Sequence, residues 1–151
     1  MNKRNRPHRD ILEDLEEQGR VPEVIMLAWG IIEMTLDGAV LQEYVLSSRD
    51  LRAKPILDLR VSDKLNLQRK LGYLSDKDYA TIQKFKDKRD QLFHTDGLFF
   101  PNMTETDKQE FVDMAIAAVD VAHELSHTVS SRASPHVSHV PMDDDETELR
   151  P

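Results

Sequence analysis

Apolar residues recur at three- and four-residue steps along most of the chain, without a strand-like alternation, and this period predicts helices. A short first helix is expected over Asp10 to Gln18, closed by Gly19. Pro22 then opens a long second helix, because a proline in the first turn lacks only an N–H that would have had no helical partner. That helix is expected to reach about Leu46. Val24, Ile25, Ala28, Ile32, Leu36 and Val40, with Leu27, Ile31 and Ala39 beside them, cover more than one stripe, as in the central helix of a bundle.

The stretch SSRDLRAKPILDLR is interrupted by Pro55, has no sustained period and reads as connection. Ser62 is the expected cap of a third helix carrying Leu65, Leu67 and Leu71 and stopping near Gly72. Ser75 followed by Asp78 resembles a capping box and starts a fourth helix with Tyr79, Ile82, Phe85 and Leu92 inward. Thr95-Asp96-Gly97 ends it, and Pro101 bars an early restart. Thr104 caps the last helix, where Phe111, Met114, Ala115, Ala118, Ala122 and Leu125 repeat over several turns. The pattern predicts an all-α, up-and-down bundle of four to five helices over residues 10–131. A flexible basic arm (1–9) precedes it, and a disordered acidic tail (132–151) follows.

Composition narrows the chemistry. A chain of 151 residues suits one domain, and 39% hydrophobic with 32% charged residues suits amphipathic helices. With no cysteine, disulfides, thiolate metal sites and cysteine nucleophiles are excluded. The basic opening MNKRNRPHRD runs into acidic ILEDLEEQ instead of an apolar run, unlike a secretory signal. The apolar stretch from Val24 to Leu46 carries Glu33, Asp37 and Glu43, so it reads as a buried helix, and a cytoplasmic location away from membranes is expected. The net charge of −8 disfavours nucleic acid until its distribution is considered. Residues 49–90 hold twelve basic against seven acidic residues, a basic island in an acidic chain.

Within that island the inward stripe of the fourth helix runs 79, 82, 85, 89, 92, and position 89 is arginine. A core-facing arginine must be paired, reach water, or face another subunit or ligand, since burying it alone costs too much. Glu33 and Asp37, one turn apart on the second helix, are the expected acidic partners of Arg89 or of the basic segment or, alternatively, a carboxylate pair for acid–base work. His94 follows Arg89 by five residues, about 140° around a continuous helix. The two converge if the helix stops there or if two copies meet.

Arg89-Asp90-Gln91-Leu92-Phe93-His94 resembles the motif of the HEPN family: arginine, a polar residue, a short spacer, then histidine. GYLSDKDYATIQKFKDKRDQLFH looks like that family's penultimate helix and turn, and TETDKQEFVDMAIAAVDVAHEL like its final helix. The resemblance spans roughly residues 22–130 and implies a HEPN-like helical homodimer with both motifs in one cleft. It further implies a metal-independent endoribonuclease that needs no cofactor. Arg89 would hold phosphate, His94 would move the proton, and Asp90 would orient either. Lys84, Lys86 and Lys88 would add RNA affinity without specificity. An antitoxin or other protein is a further partner of such toxins. Some of them carry a tyrosine two residues past the histidine, where Asp96 stands here, so control through that tyrosine is not expected.

Two other readings belong beside this one. The first is a non-catalytic helical dimerisation or interaction module. The second follows His123-Glu124-Leu125-Ser126-His127, which has the His-Glu-x-x-His form of zinc hydrolases and sets His123 and His127 on one helical face as weak metal-ligand candidates. The extended motif is broken, because Ser130 and Ala133 occupy its glycine and third-histidine positions. His136 and His139 could join as ligands, but a solvated tail is the simpler account of them.

Overall fold

A computed structural model of the chain describes residues 7–47, 58–94 and 103–133. Five helices, with no strand among the described residues, form an all-α bundle: α1 (Pro7–Glu17), α2 (Val21–Ser47), α3 (Val61–Lys70), α4 (Asp76–His94) and α5 (Glu105–Ala133). The connection around Pro55, the stop at Thr95-Asp96-Gly97 with Pro101, most of the arm (1–6) and most of the tail (134–151) lie outside the described residues.

Local chemistry sets most helix ends. Gly19 and Gly72 have φ of +70° and +78°, the left-handed conformation glycine adopts without steric cost. Each closes its helix with a Schellman pair: Gly19 N–H and Arg20 N–H donate to Glu16 and Leu15, while Gly72 and Tyr73 donate to Arg69 and Gln68. At the start of α4 the Asp78 N–H donates to Ser75 Oγ at 3.1 Å, and at α5 the Asp107 N–H donates to Thr104 Oγ1 at 3.1 Å. Two boundaries differ from expectation. α1 starts at Pro7, inside the expected arm, with proline in the tolerated first position and Arg9 anchored to the bundle. Ser62 is not a cap: α3 begins at Val61 behind Arg60, which makes no side-chain capping bond.

α2 and α5 form the spine. Ala28 and Ala39 of α2 and Ala115, Ala118 and Ala122 of α5 are all buried, and such small side chains let two helices pack closely. α4 closes one side through Phe85, whose ring centroid lies 6.2 Å from Trp29 and 5.8 Å from Phe111. α1 lies across α2 and α5 with Leu12 fully buried, and α3 packs on α2 and α4 through Leu65. Long and apolar enough to cross a membrane, α2 has only half of its most apolar stretch buried in the bundle.

Two polar residues sit in the interior. Lys64 is 5% exposed and donates to Asp37. Gln68 is fully buried, and its amide oxygen and nitrogen have no hydrogen-bond partner among the described residues. Burying such an amide costs about 1–3 kcal/mol. Gln68→Met, which keeps the length and removes the amide, is therefore expected to raise stability by about 1 kcal/mol in urea unfolding; a loss of stability would show that the amide is satisfied.

Candidate functional site

The inward stripe of α4 places Ile82 and Phe85 in the core, with Tyr79 and Leu92 packed against it. Arg89 continues that line without being buried alone. Its guanidinium lies 4.5 Å from the centre of the Trp29 ring and donates from Nη1 to Asp90 Oδ1 at 3.0 Å, with 26% of its side chain exposed. The ring face attracts the cation. The Asp90 carboxylate also accepts from Lys86 Nζ at 2.7 Å, so it bridges two cations.

Asp37 pairs with the basic segment, the other expected partner, rather than with Arg89. Asp37 is bonded by Lys64 of α3, and Glu33 is exposed on α2. The reason is geometric: Trp29, one turn before Glu33, offers its ring to Arg89, while α3 brings an ammonium to Asp37. His94 is the last residue of α4, and its side chain lies outside the described residues. With α4 continuous from 89 to 94, the two register positions stand about 140° apart around one helix.

The three lysines do not form a single patch. Lys84 and Lys88 are one turn apart, whereas position 86 is about 200° from position 84 and lies with Arg89 and Asp90. Lys84 is exposed, and Lys88 Nζ lies 5.8 Å from the Phe111 ring. Only Lys86 belongs to the neighbourhood of Arg89.

A second feature has no counterpart in the sequence reading. A groove of about 330 Å³ runs between α1, α2 and α5, floored by Ile31, Ala39, Val119 and Val129 and edged by His8, Arg9, Asp120 and His123. Arg9 donates to Glu13 and to Asp120, each at 2.7 Å, tying α1 to α5. The hydrogen bond to Glu13 and then the charge of Asp120 raise the Arg9 pKa above its ordinary value. Arg9 and Asp120 are 111 residues apart, and neither shows any pattern that points to the other. Beside the groove, His123 Nε2 and His127 Nε2 stand 3.1 Å apart with ring planes at 85°. Among the described residues no group of three His, Cys, Asp or Glu side chains is placed to hold a metal, so the hydrolase motif lacks a third ligand there.

Comparison of the chain with protein-family models, curated proteins and solved structures returns no match.

Trp29 is the only tryptophan, so its emission reports directly on Arg89. Arg89→Ala is expected to shift that emission to the red by opening the ring to water, and to lower stability by about 1 kcal/mol. Fluorescence-detected urea unfolding checks both; an unchanged emission would mean that the guanidinium does not cover the indole.

Proposed function

We propose that the chain is a HEPN-like RNA-binding domain that acts as a homodimer and cuts RNA without a metal, using Arg89 and His94. The observation that carries this reading is Arg89 itself, a partly exposed cation held by Trp29 and Asp90 in the basic segment, five residues before a histidine at the helix end.

The chemistry follows from the residue types. The fork of Arg89 fits two phosphate oxygens and stabilises the charge that builds as phosphorus becomes five-coordinate. His94 takes the proton from a ribose 2′-hydroxyl, whose oxygen bonds to the adjacent phosphorus. The bond from phosphorus to the 5′-oxygen breaks, and that oxygen takes a proton from the partner subunit's His94. The products are a 2′,3′-cyclic phosphate and a 5′-hydroxyl. One histidine cannot act as base and acid in the same step, so the dimer supplies the second.

The outer face of α2 supports a dimer. Met26 and Met34 are 66% and 63% exposed, Leu27 is 37% exposed, and added methyl groups at Gly30 and Gly38 would meet nothing within 4 Å. Met26, Gly30, Met34 and Gly38 alternate at four-residue steps. In an antiparallel pair with its two-fold axis level with position 32, each methionine faces a glycine of the other copy. The same face also suits a non-catalytic dimerisation module, which is the second reading.

In EDTA, the wild-type protein is expected to cut mixed RNA into fragments with cyclic phosphate ends, and Arg89→Ala and His94→Ala to lose at least about a hundredfold in rate. Both variants should keep their helical circular dichroism and their dimeric mass. Association without cleavage would leave the interaction module, and a wild type that neither binds nor cuts RNA ends the ribonuclease reading.

Met34→Glu places a charge in the proposed seam. Light scattering should show its mass falling from dimer to monomer with the fold intact; a monomeric wild type, or a dimeric variant, would remove α2 as the interface.

A further inference from the structure

The groove, the acidic helix α5 and the paired histidines share one region, and the histidines carry the inference. We propose that His123 and His127 form a two-imidazole chelate for one divalent transition-metal ion at the edge of the groove between α1, α2 and α5.

Spacing is the first argument. Zinc–nitrogen bonds of about 2.0–2.1 Å at a tetrahedral angle hold two nitrogens about 3.3 Å apart. His123 Nε2 and His127 Nε2 already stand 3.1 Å apart. The i, i+4 relation in α5 holds the two residues on one face a turn apart, so only side-chain rotamers have to be fixed when an ion binds.

The second argument concerns lone pairs. Two neutral imidazoles that face each other through Nε2 either point lone pair at lone pair or share one proton in a single hydrogen bond. A cation between them takes both lone pairs and lets each ring keep its proton on Nδ1. The rings, at 85° to each other, can converge on one point without stacking.

Charge is the third. Asp120 and Glu124 lie on the same stretch of α5, and Arg9, whose guanidinium also edges the groove, is bonded to two carboxylates, Glu13 and Asp120. A cation at the histidines therefore meets no uncompensated positive charge from Arg9. Imidazole donors select copper(II), nickel(II) and zinc(II) over magnesium or calcium. With no third ligating side chain placed among the described residues, water fills the other positions. The ion braces a turn of α5 near its C-terminal end and takes no part in the chemistry of Arg89 and His94.

The test is calorimetric titration of the untagged, metal-stripped full chain with nickel(II), and with magnesium as the contrasting ion. His123→Ala and His127→Ala are compared with a His136→Ala/His139→Ala double variant. His127 is exposed and alanine is the best helix former, so the decisive variant keeps its fold. One nickel per chain is expected to bind the wild type and the tail variant equally, at least tenfold more weakly each helix variant, and magnesium should give no heat. The proposal is overturned if nickel binds the wild type only above about 1 mM, if His127→Ala binds undiminished, or if replacing the tail histidines abolishes binding. RNA cleavage in EDTA is read separately, so the failure of either proposal leaves the other standing.

Discussion

The close pairing of α2 with α5 is the constraint on which the other helices depend. Buried alanines on both helices bring the backbones together, and the larger residues around them then define where α1, α3 and α4 can lie. Phe85 shows the dependence best. Its ring meets Trp29 of α2 and Phe111 of α5 at once, so the seat of α4 is defined by both spine helices together. Arg89, one turn further along α4, inherits its position over Trp29 from that seat.

An arginine on an apolar stripe is ordinarily a liability, and the indole changes the balance. The ring gives the cation a favourable face while keeping its own body in the core, and Asp90 supplies a charged acceptor beside it. The fork is thus held between an aromatic face and a carboxylate, with 26% of its side chain exposed. A guanidinium held in this way can offer paired N–H donors to two oxygens of one anionic group.

Helical periodicity made the architecture legible, because 3.6-residue spacing is written locally in each segment. The glycines after α1 and α3 and the caps at Ser75 and Thr104 were legible for the same reason: each acts on its own turn. Arg89 stood out as the wrong residue type on a regular stripe. Its partner did not, since choosing Trp29 over Asp37 depends on how α2 and α3 sit relative to α4. Arg9 belongs by sequence to a loose arm because its acceptor Asp120 lies 111 residues away along the chain. The groove that they border was equally invisible, being a product of three helices meeting.

The spine also carries a temporal consequence. In N-to-C synthesis, α2 is complete at Ser47, but its main packing partner ends at Ala133, 86 residues later. At about 5–20 residues per second, roughly 5–20 s pass in which the most apolar helix of the chain has emerged without the surface that shelters it. During that interval α2 must be shielded by neighbouring nascent chain, by a chaperone or by another emerging copy. The vulnerable moment of this fold therefore belongs to its birth more than to its finished state.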